Sequence, residues 1–466
     1  MSLKISNKTH MPAMEPKERS GVFEEVNFGY DLNRALFEAG RCLRCQEAEC
    51  EKGCPVNIPI AEFIRLISQN RIEESLRLVK KYNSLPGVCG RVCPQESQCE
   101  GKCHVSGRFK PVAIGYLERF LADWEVSNGR VEENILSAKP HKVAVIGSGP
   151  AGLTVAGDLI RKGYGVTIFE ALDAAGGVLR YGIPEFRLPK AILDFEIEGL
   201  KKLGVEIICD FIVGRTKTID ELLKEYDVVF LGTGAGLPSF LGIEGEHLNG
   251  VLSANEFLTR INLMKAYLFP QYDTPAKAGK KTIVVGSGNV AMDSVRSALR
   301  LGADEAVIVY RRTIKEMTAR IEEYEHAVEE GIKFYWLTNP TKIIGNNKGW
   351  VKAVEVEKME LGEPDASGRA RPVPTGEKFM MEADMVISAI GTSPNPLIAI
   401  TTPDLKTQQW GGMIIDEATG ATSKSRVYAG GDIVTGSATV ISAAGAGRKA
   451  ADAIDEFLSR KNAKKL

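Results

Sequence analysis

Long apolar runs, a charge imbalance and widely spread cysteines are all missing from this 466-residue sequence. No apolar run reaches the length needed to cross a bilayer, and no N-terminal stretch has the charged, apolar and small-residue order of a secretory signal. A cytoplasmic location with no membrane partner is therefore expected. Lys and Arg number 59 against 60 Asp and Glu, so there is no basic field to draw the chain to nucleic acid. Of nine cysteines, eight fall between residues 42 and 103, and only Cys209 lies elsewhere. In a cytosolic chain such a local cluster points to metal rather than to a disulfide framework.

What is abundant is glycine, 47 residues of it, which suggests tight turns and close backbone approaches to ligands. The length implies about two to four domains. Residues 1–30 are polar with little periodicity and read as an extended arm of no visible role. The cysteine-bearing stretch that follows has apolar residues three and four apart, as in IPIAEFIRLISQNRIEESLRLVKKY, and is expected to be helical. A β-branched run, a glycine turn and a small-residue helix appear at KVAVIGSGPAGL from residue 142 and again at KTIVVGSGNVAMD from residue 281. Two such units imply an α/β fold with two Rossmann-like, doubly wound nucleotide-binding domains. The late segment RVYAGGDIVTGSATVISAAGAGRKAADAI repeats that order and could complete the first unit.

In Gly147-Ser148-Gly149-Pro150-Ala151-Gly152 the first glycine permits the turn after the strand and the second lets the backbone approach a pyrophosphate. The third lets helix and strand pack closely, and the helix N-terminus faces the phosphate charge. Glu170 ends the next strand, 23 positions after Gly147, where a carboxylate accepts hydrogen bonds from ribose hydroxyls. Gly176-Gly177, taken alone, reads as a plain turn. The second motif, Gly286-Ser287-Gly288-Asn289-Val290-Ala291, keeps a small last residue. Its second strand ends in Tyr310-Arg311-Arg312, where an NAD site would have an acid. Two guanidiniums can clasp a 2′-phosphate, so NADP(H) is preferred to NAD(H), although the same pair could be a solvated strand end. One acid-ended and one arginine-ended site suggest a bound flavin and an exchanging nicotinamide cofactor, with hydride transfer between them.

The cysteines form two groups, Cys42-x2-Cys45-x4-Cys50-x3-Cys54-Pro55 and Cys89-x3-Cys93-Pro94-x5-Cys99-x3-Cys103. Short spacers and Cys-Pro endings suit [4Fe-4S] cubanes. Zinc also accepts four thiolates, but eight cysteines beside a flavin and a nicotinamide site make electron transfer the more coherent chemistry. His104 is a ligand by type and is read as a surface or capping histidine.

Cysteine domain, GSGPAGL, the GIPEFRLPK segment at 182–190, GSGNVAMD, the YRR pair and the late AGGD together resemble the small subunit of bacterial glutamate synthase. They equally resemble the N-terminal half of dihydropyrimidine dehydrogenase and the large subunit of NADH-dependent reduced ferredoxin:NADP oxidoreductase. The resemblance covers nearly the whole chain from about residue 25. It implies a glutathione-reductase-like arrangement, with an iron–sulfur domain at 31–138, an FAD domain in two parts at 139–265 and 389–466, and an NADPH domain inserted at 266–388. By position it implies FAD contacts from Glu170, Gly177, Val178 and Arg187, with Gly431, Asp432 and Thr439 on the flavin's linking chain and phosphate. Ser287 to Val290 would lie on NADPH phosphates, Arg311 and Arg312 on its 2′-phosphate, and Gly391 near the nicotinamide. Cys42, Cys45, Cys50 and Cys103 would hold one cluster. Cys54, Cys93, Cys99 and the oxygen ligand Glu118 would hold the other, leaving Cys89 spare.

Within that family the N-terminal text and compact length are most similar to the electron-bifurcating transhydrogenase subunit. That branch implies hydride exchange between NADP(H) and FAD, then single electrons leaving through two clusters toward ferredoxin and to the flavin of a smaller, ferredoxin-reductase-like partner subunit. The flavin carries the chemistry, so no catalytic acid or nucleophile is expected. The rivals are a glutamate synthase small subunit feeding a large amidotransferase partner, and a non-catalytic scaffold with degenerate nucleotide folds, against which the intact glycine motifs argue.

Overall fold

A computed structural model of the chain describes residues 7–107, 109–133, 135–365 and 368–463, with residues 461–463 as backbone only. The cysteine region is a set of short helices. Asp31 accepts from the Arg34 backbone N–H at 2.8 Å and caps Leu32–Ala39. In Ile60–Ser68 the residues Ile60, Phe63, Ile64 and Ile67 form one buried stripe that packs on Ile72–Lys80, where Leu76 and Val79 are buried. All seven residues of Pro86–Val92 are buried, and this helix lies against Ile114–Asn128. The approach is close because Gly90 has no side chain: a Cβ there would stand 2.5 Å from the Arg119 backbone nitrogen. The first of these helices carries Cys89 and ends on Cys93, and the second carries Glu118.

Beyond the helices come β1 (Lys142–Ile146), β2 (Gly165–Phe169), β3 (Glu206–Ile208) and β4 (Val228–Leu231), and β5 (Leu237–Pro238) leads away from them. Next are β6 (Val251–Ser253), β7 (Lys281–Val285), β8 (Glu305–Tyr310) and β9 (Lys333–Trp336). A meander follows of β10 (Thr338–Gly345), β11 (Val351–Pro364) and β12 (Ala370–Glu382), then β13 (Met385–Ser388). β14 (Thr392–Ser393) leads back, and β15 (Val427–Ala429) closes the series. The first sheet runs β15-β4-β1-β2-β3 and the second β6-β13-β7-β8-β9, both wholly parallel. Val143 to Ile146 are all buried, as a central parallel strand covered on both faces requires. β15 joins the first sheet from beyond the second, so the late segment does complete the first unit.

The second unit starts earlier than the expected residue 266. β6, assigned by sequence to the part at 139–265, pairs with β13, and the helix Ala254–Asn262 buries Phe257, Leu258 and Ile261 in one core with Val284 and Ile387. A three-residue strand carries too little pattern to reveal its sheet, and its partner lies far along the chain. The meander covers the other face of this sheet, with Ile343, Val354 and Val356 against Ile283, Val285 and Val307.

The cysteine helices are not a separate bead. Ile64, Leu76, Leu85 and Leu117 share one continuous core with Val143, Val145, Leu153 and Ile454 of the first nucleotide unit. Each such fully buried aliphatic side chain contributes roughly 1.5–3 kcal/mol. The N-terminal arm also has a role that its composition hid. Arg19 pairs with Glu330 at 3.2 Å and with Glu329, the Val22 carbonyl accepts from Arg300 at 2.8 Å, and Phe23 stacks on Tyr267 at 4.3 Å between centroids. Glu25 pairs with Arg91 at 2.7 Å, and the Val26 N–H donates to the Phe186 carbonyl at 3.0 Å. The arm is thus a strap across all three units. Among the described residues no helix is long and apolar enough to cross a membrane.

Candidate functional site

Both glycine motifs sit where the strand order reverses, between β1 and β4 and between β7 and β13, the point at which doubly wound sheets open a ligand crevice. In the first, Gly147 to Gly152 lead from β1 into the helix Pro150–Arg161. A Cβ on Gly152 would stand 2.0 Å from the Gly147 carbonyl oxygen, so only glycine fits the turn. Glu170, buried just past β2, accepts from the Ser148 backbone N–H at 2.9 Å and from its hydroxyl through one oxygen, and from the Leu172 N–H at 2.9 Å through the other. The Ser148 hydroxyl in turn accepts from the Gly176 N–H at 2.9 Å. Fingerprint loop, acid and Gly176-Gly177 turn are therefore one hydrogen-bonded unit, and Val178 opens the short helix after it.

Gly431 and Asp432 reach this place from the far end of the chain, with Gly431 against the Ala151 side chain. Burial, with the Glu170 and Asp432 carboxylates nearby, pushes the Tyr181 hydroxyl up to about 12, and burial pushes Asp432 up to about 6. Thr439 meets the Ser442 hydroxyl at 2.6 Å and the Gln98 side-chain amide at 3.5 Å, touching the cysteine domain. Arg187, expected as an FAD contact, pairs with carboxylates of the second unit. Its guanidinium lies 2.8 Å from both oxygens of Asp293 and 3.0 Å from Glu323, tying the GIPEFRLPK segment to the second unit. A fully buried guanidinium takes the carboxylates that packing brings to it.

In the second crevice Gly286 has φ +132°, and a Cβ there would stand 2.4 Å from the Ala389 carbonyl oxygen. Ser287, Gly288 and Asn289 turn into the helix Asn289–Arg300, and Val290 is exposed at its open N-terminus. Asn289 accepts from the Arg320 N–H at 3.0 Å, and the Ser287 carbonyl from the Ala319 N–H at 3.1 Å. The Ser388 hydroxyl, buried at the end of β13, has no partner among the described residues, a polar atom left for a ligand. Arg311 and Arg312 part company after β8. Arg312 is buried, donating to the Ala370 carbonyl at 2.7 Å and pairing with Asp365 at 2.8 Å. Arg311 is exposed with no ion pair among the described residues, so of the expected clasp it alone is free. Gly391, where β5 and β14 join the two units, accepts from the Ser239 N–H at 3.0 Å.

Cys42, Cys45, Cys50 and Cys103 surround one pocket, floored by Ile60, Ile64, Val112 and Ile114. Burial, with Cys103 and Cys42 beside it, pushes the Cys50 thiol up to about 12. His104 is exposed, its Nδ1 3.5 Å from the Cys45 sulfur. Cys54, Cys93 and Cys99 form a deeper group. Burial raises Cys54, to about 11, and Cys99, while the hydrogen bond with Cys89 and then burial raise Cys93, and the Glu118 carboxylate raises each of the three further. Glu118 itself is pushed up to about 7 by burial, against a hydrogen bond from Asn83 that favours the charged form. Buried thiols of this kind stay protonated until a metal takes them as thiolates. Among the described residues no three metal-binding side chains converge on one point, as a single ion would require. Thiolates on a cubane sit on different irons and stand further apart. Cys89, fully buried, is hydrogen-bonded to Cys93 and to Asn83. Asn83 and the strap carried no signal in the sequence.

A family profile described as dihydropyrimidine dehydrogenase domain II, 4Fe-4S cluster, matches residues 19–130, and one described as pyridine nucleotide-disulphide oxidoreductase matches residues 141–447. The chain is 36% identical over 455 residues to the glutamate synthase [NADPH] small chain of Escherichia coli (strain K12), covering 96% of each. It is 41% identical over 436 residues to the NADP(+)-dependent formate dehydrogenase subunit beta of Moorella thermoacetica, covering 88% of this chain but only 60% of that longer protein. Among solved structures, FprA of Mycobacterium tuberculosis in complex with NADPH shares the fold, at a TM-score of 0.58 and 22% identity over 70% of this chain and 86% of that one. The chain belongs to the glutamate synthase small-chain family, in which a 4Fe-4S domain of the dihydropyrimidine dehydrogenase type precedes a pyridine nucleotide-disulphide oxidoreductase unit.

Proposed function

We propose that the chain is the electron-input subunit of a larger redox complex, taking hydride from NADPH and delivering single electrons to a partner. FAD is assigned to the crevice of Gly147 to Gly152, Glu170, Gly177, Val178, Gly431, Asp432 and Thr439. NADP(H) is assigned to that of Gly286 to Val290, Arg311 and Gly391. One observation carries the reading: the deeper cysteine group is packed onto the flavin unit, with the Pro55 carbonyl against Gly445 of the long C-terminal helix and Gln98 on Thr439, while the outer group opens beside exposed Leu43 and Arg44. Two [4Fe-4S] clusters there, an outer one on Cys42, Cys45, Cys50 and Cys103 and an inner one on Cys54, Cys93, Cys99 and Glu118, make a continuous route outward.

When bound, FAD supplies the conversion of a two-electron hydride into two single electrons. The protein's own residues do the rest. The N-termini of Pro150–Arg161 and Asn289–Arg300 face phosphate charge, Glu170 orients the ribose, and the Arg187–Asp293 pair and the strap hold the two crevices at one separation.

For the partner we favour a smaller ferredoxin-reductase-like subunit, with ferredoxin and NAD as joint acceptors in a bifurcating reaction. The E. coli relative is named as a glutamate synthase chain, and a large glutamate-forming partner fits the likeness equally well. The co-purifying partner decides: joint reduction of ferredoxin and NAD from NADPH supports bifurcation, and a glutamate-forming partner without ferredoxin reduction overturns it.

Two further results are expected. Iron analysis of the holoprotein should give about eight irons per chain, four for each cubane, and about four would reduce the route to one cluster. Arg311→Ala should raise the KM for NADPH by roughly 10–100-fold, the worth of about 1.5–3 kcal/mol for charge-assisted hydrogen bonds, and leave NADH unchanged. Arg312→Ala should have the smaller effect, because that guanidinium is already occupied; equal losses for NADPH and NADH would remove the 2′-phosphate assignment.

A further inference from the structure

We propose that Asn83 selects Glu118 rather than Cys89 as the fourth ligand of the inner cluster, a positioning role that rests on the reading of Cys54, Cys93, Cys99 and Glu118 as that cluster's shell. Asn83 lies in the turn between Ile72–Lys80 and Pro86–Val92 and is only 1% exposed. Its side-chain oxygen accepts from the Leu85 backbone N–H at 2.9 Å and from the Cys89 thiol at 3.7 Å. Its amide nitrogen donates to Glu118 Oε1 at 2.7 Å. The amide can face only one way. Turned over, it would set its NH2 group against the Leu85 N–H and its oxygen against Glu118 Oε1, donor on donor and acceptor on acceptor.

One side chain therefore treats two competing ligands in opposite ways. The Cys89 sulfur is engaged by the Asn83 oxygen and must give up that contact to turn to iron. Glu118 is held in a fixed orientation through Oε1, which leaves its Oε2 unengaged by Asn83. Cys89 and Glu118 are buried together, at 0% and 7% exposure, on two helices in backbone contact at Gly90. Burial and helix placement do not separate them; hydrogen bonding does. This also gives a reason for the cysteine left without a cluster.

Without Asn83 the ligands are expected to exchange. The iron–oxygen bond to Glu118 breaks, an iron–sulfur bond to Cys89 forms, the thiol proton passes to the freed carboxylate, and no electron changes hands. The test uses the full-length holoprotein, read by iron and sulfide per chain and by electron paramagnetic resonance at poised potentials. Cys89→Ala should leave both clusters and their midpoints unchanged. Asn83→Leu should keep the iron content but shift the inner cluster's midpoint and spectrum, and adding Cys89→Ala to it should remove about half of the iron. Asn83→Asp keeps the side-chain shape and the bond from Leu85 but replaces the donor with an acceptor and adds a negative charge, so beside its shifted midpoint it is read by ligand exchange: adding Cys89→Ala to it should also remove about half of the iron. An unchanged midpoint in both Asn83 variants overturns the proposal, as does equal loss of the inner cluster in Asn83→Leu with and without Cys89. Glu118→Ala separates the two levels: an unaltered inner-cluster signal there means that the ligand reading itself has failed.

Discussion

Replacing Gly152 by alanine is expected to yield a chain without flavin, whereas the matching change at Gly286 should keep the flavin and lose NADP(H). At Gly152 the new Cβ would stand 2.0 Å from the Gly147 carbonyl oxygen, a backbone atom that cannot swing aside. At Gly286 it would stand 2.4 Å from the Ala389 carbonyl oxygen, on a residue whose φ of +132° side chains rarely adopt. Relieving either contact distorts the turn that presents backbone N–H groups to a pyrophosphate. Forcing backbone angles by roughly 15° costs about 4 kcal/mol, which is ~1000-fold in affinity. Flavin released by acid from each purified variant, beside NADPH titration of the Gly286 variant, measures both. Stoichiometric flavin on Gly152→Ala would mean that the first motif is not the flavin site, and loss of both nucleotides in either variant would mean a general failure of folding.

Glu330→Ala should destabilise the protein by about 3–5 kcal/mol, because it leaves buried cations without their anion. The Glu330 side chain is 0% exposed between Arg296 and Arg300, themselves 0% exposed, and it also meets Arg19 of the strap at 3.2 Å. The Arg296 and Arg300 guanidiniums lie 4.7 and 4.0 Å from the Phe186 ring centroid, so the same cluster reaches into the flavin unit. The change should therefore lower the thermal midpoint and expose the strap near Arg19 to protease; an unchanged melt and digestion pattern would show the cluster to be dispensable.

The same cluster predicts acid sensitivity. Burial alone would raise Glu323 and Glu330, but the guanidiniums of Arg187 and Arg296 hold Glu323 down at about 2, and those of Arg296 and Arg300 hold Glu330 below the usual carboxylate range. Depressed carboxylates contribute stability that is present above their unfolded value near ~4.3 and lost as pH falls toward the folded one. Asp293, held up at about 6 by burial, works in the opposite sense and flattens the profile nearer neutrality. Stability should thus fall steeply below about pH 4, and Glu330→Gln should make that fall shallower.

How much of this could be read from the sequence differs residue by residue. The two glycine motifs, the acid at Glu170 and the local clustering of cysteines were legible because each is satisfied by geometry within a short stretch of chain. The same holds for the late strand at Val427–Ala429, whose pattern repeats that of β1. β6 was misassigned because three residues carry no period, and the carboxylates that pair with Arg187 were invisible because likeness by position says nothing about what lies opposite it in space. Arg311 and Arg312 look equivalent in a string of letters, yet one is exposed and the other is held by Asp365 on a distant turn.

The sequence by itself determined an α/β chain with two nucleotide crevices behind a cysteine-rich helical domain, since backbone turns and thiol spacing are local properties. Only the tertiary structure decided that these parts share one core, that the N-terminal arm straps them together through Arg19 and Glu25, and that Asn83 stands between Cys89 and Glu118. Those outcomes depend on desolvated charges and hydrogen bonds, whose partners are chosen by packing rather than by distance along the chain.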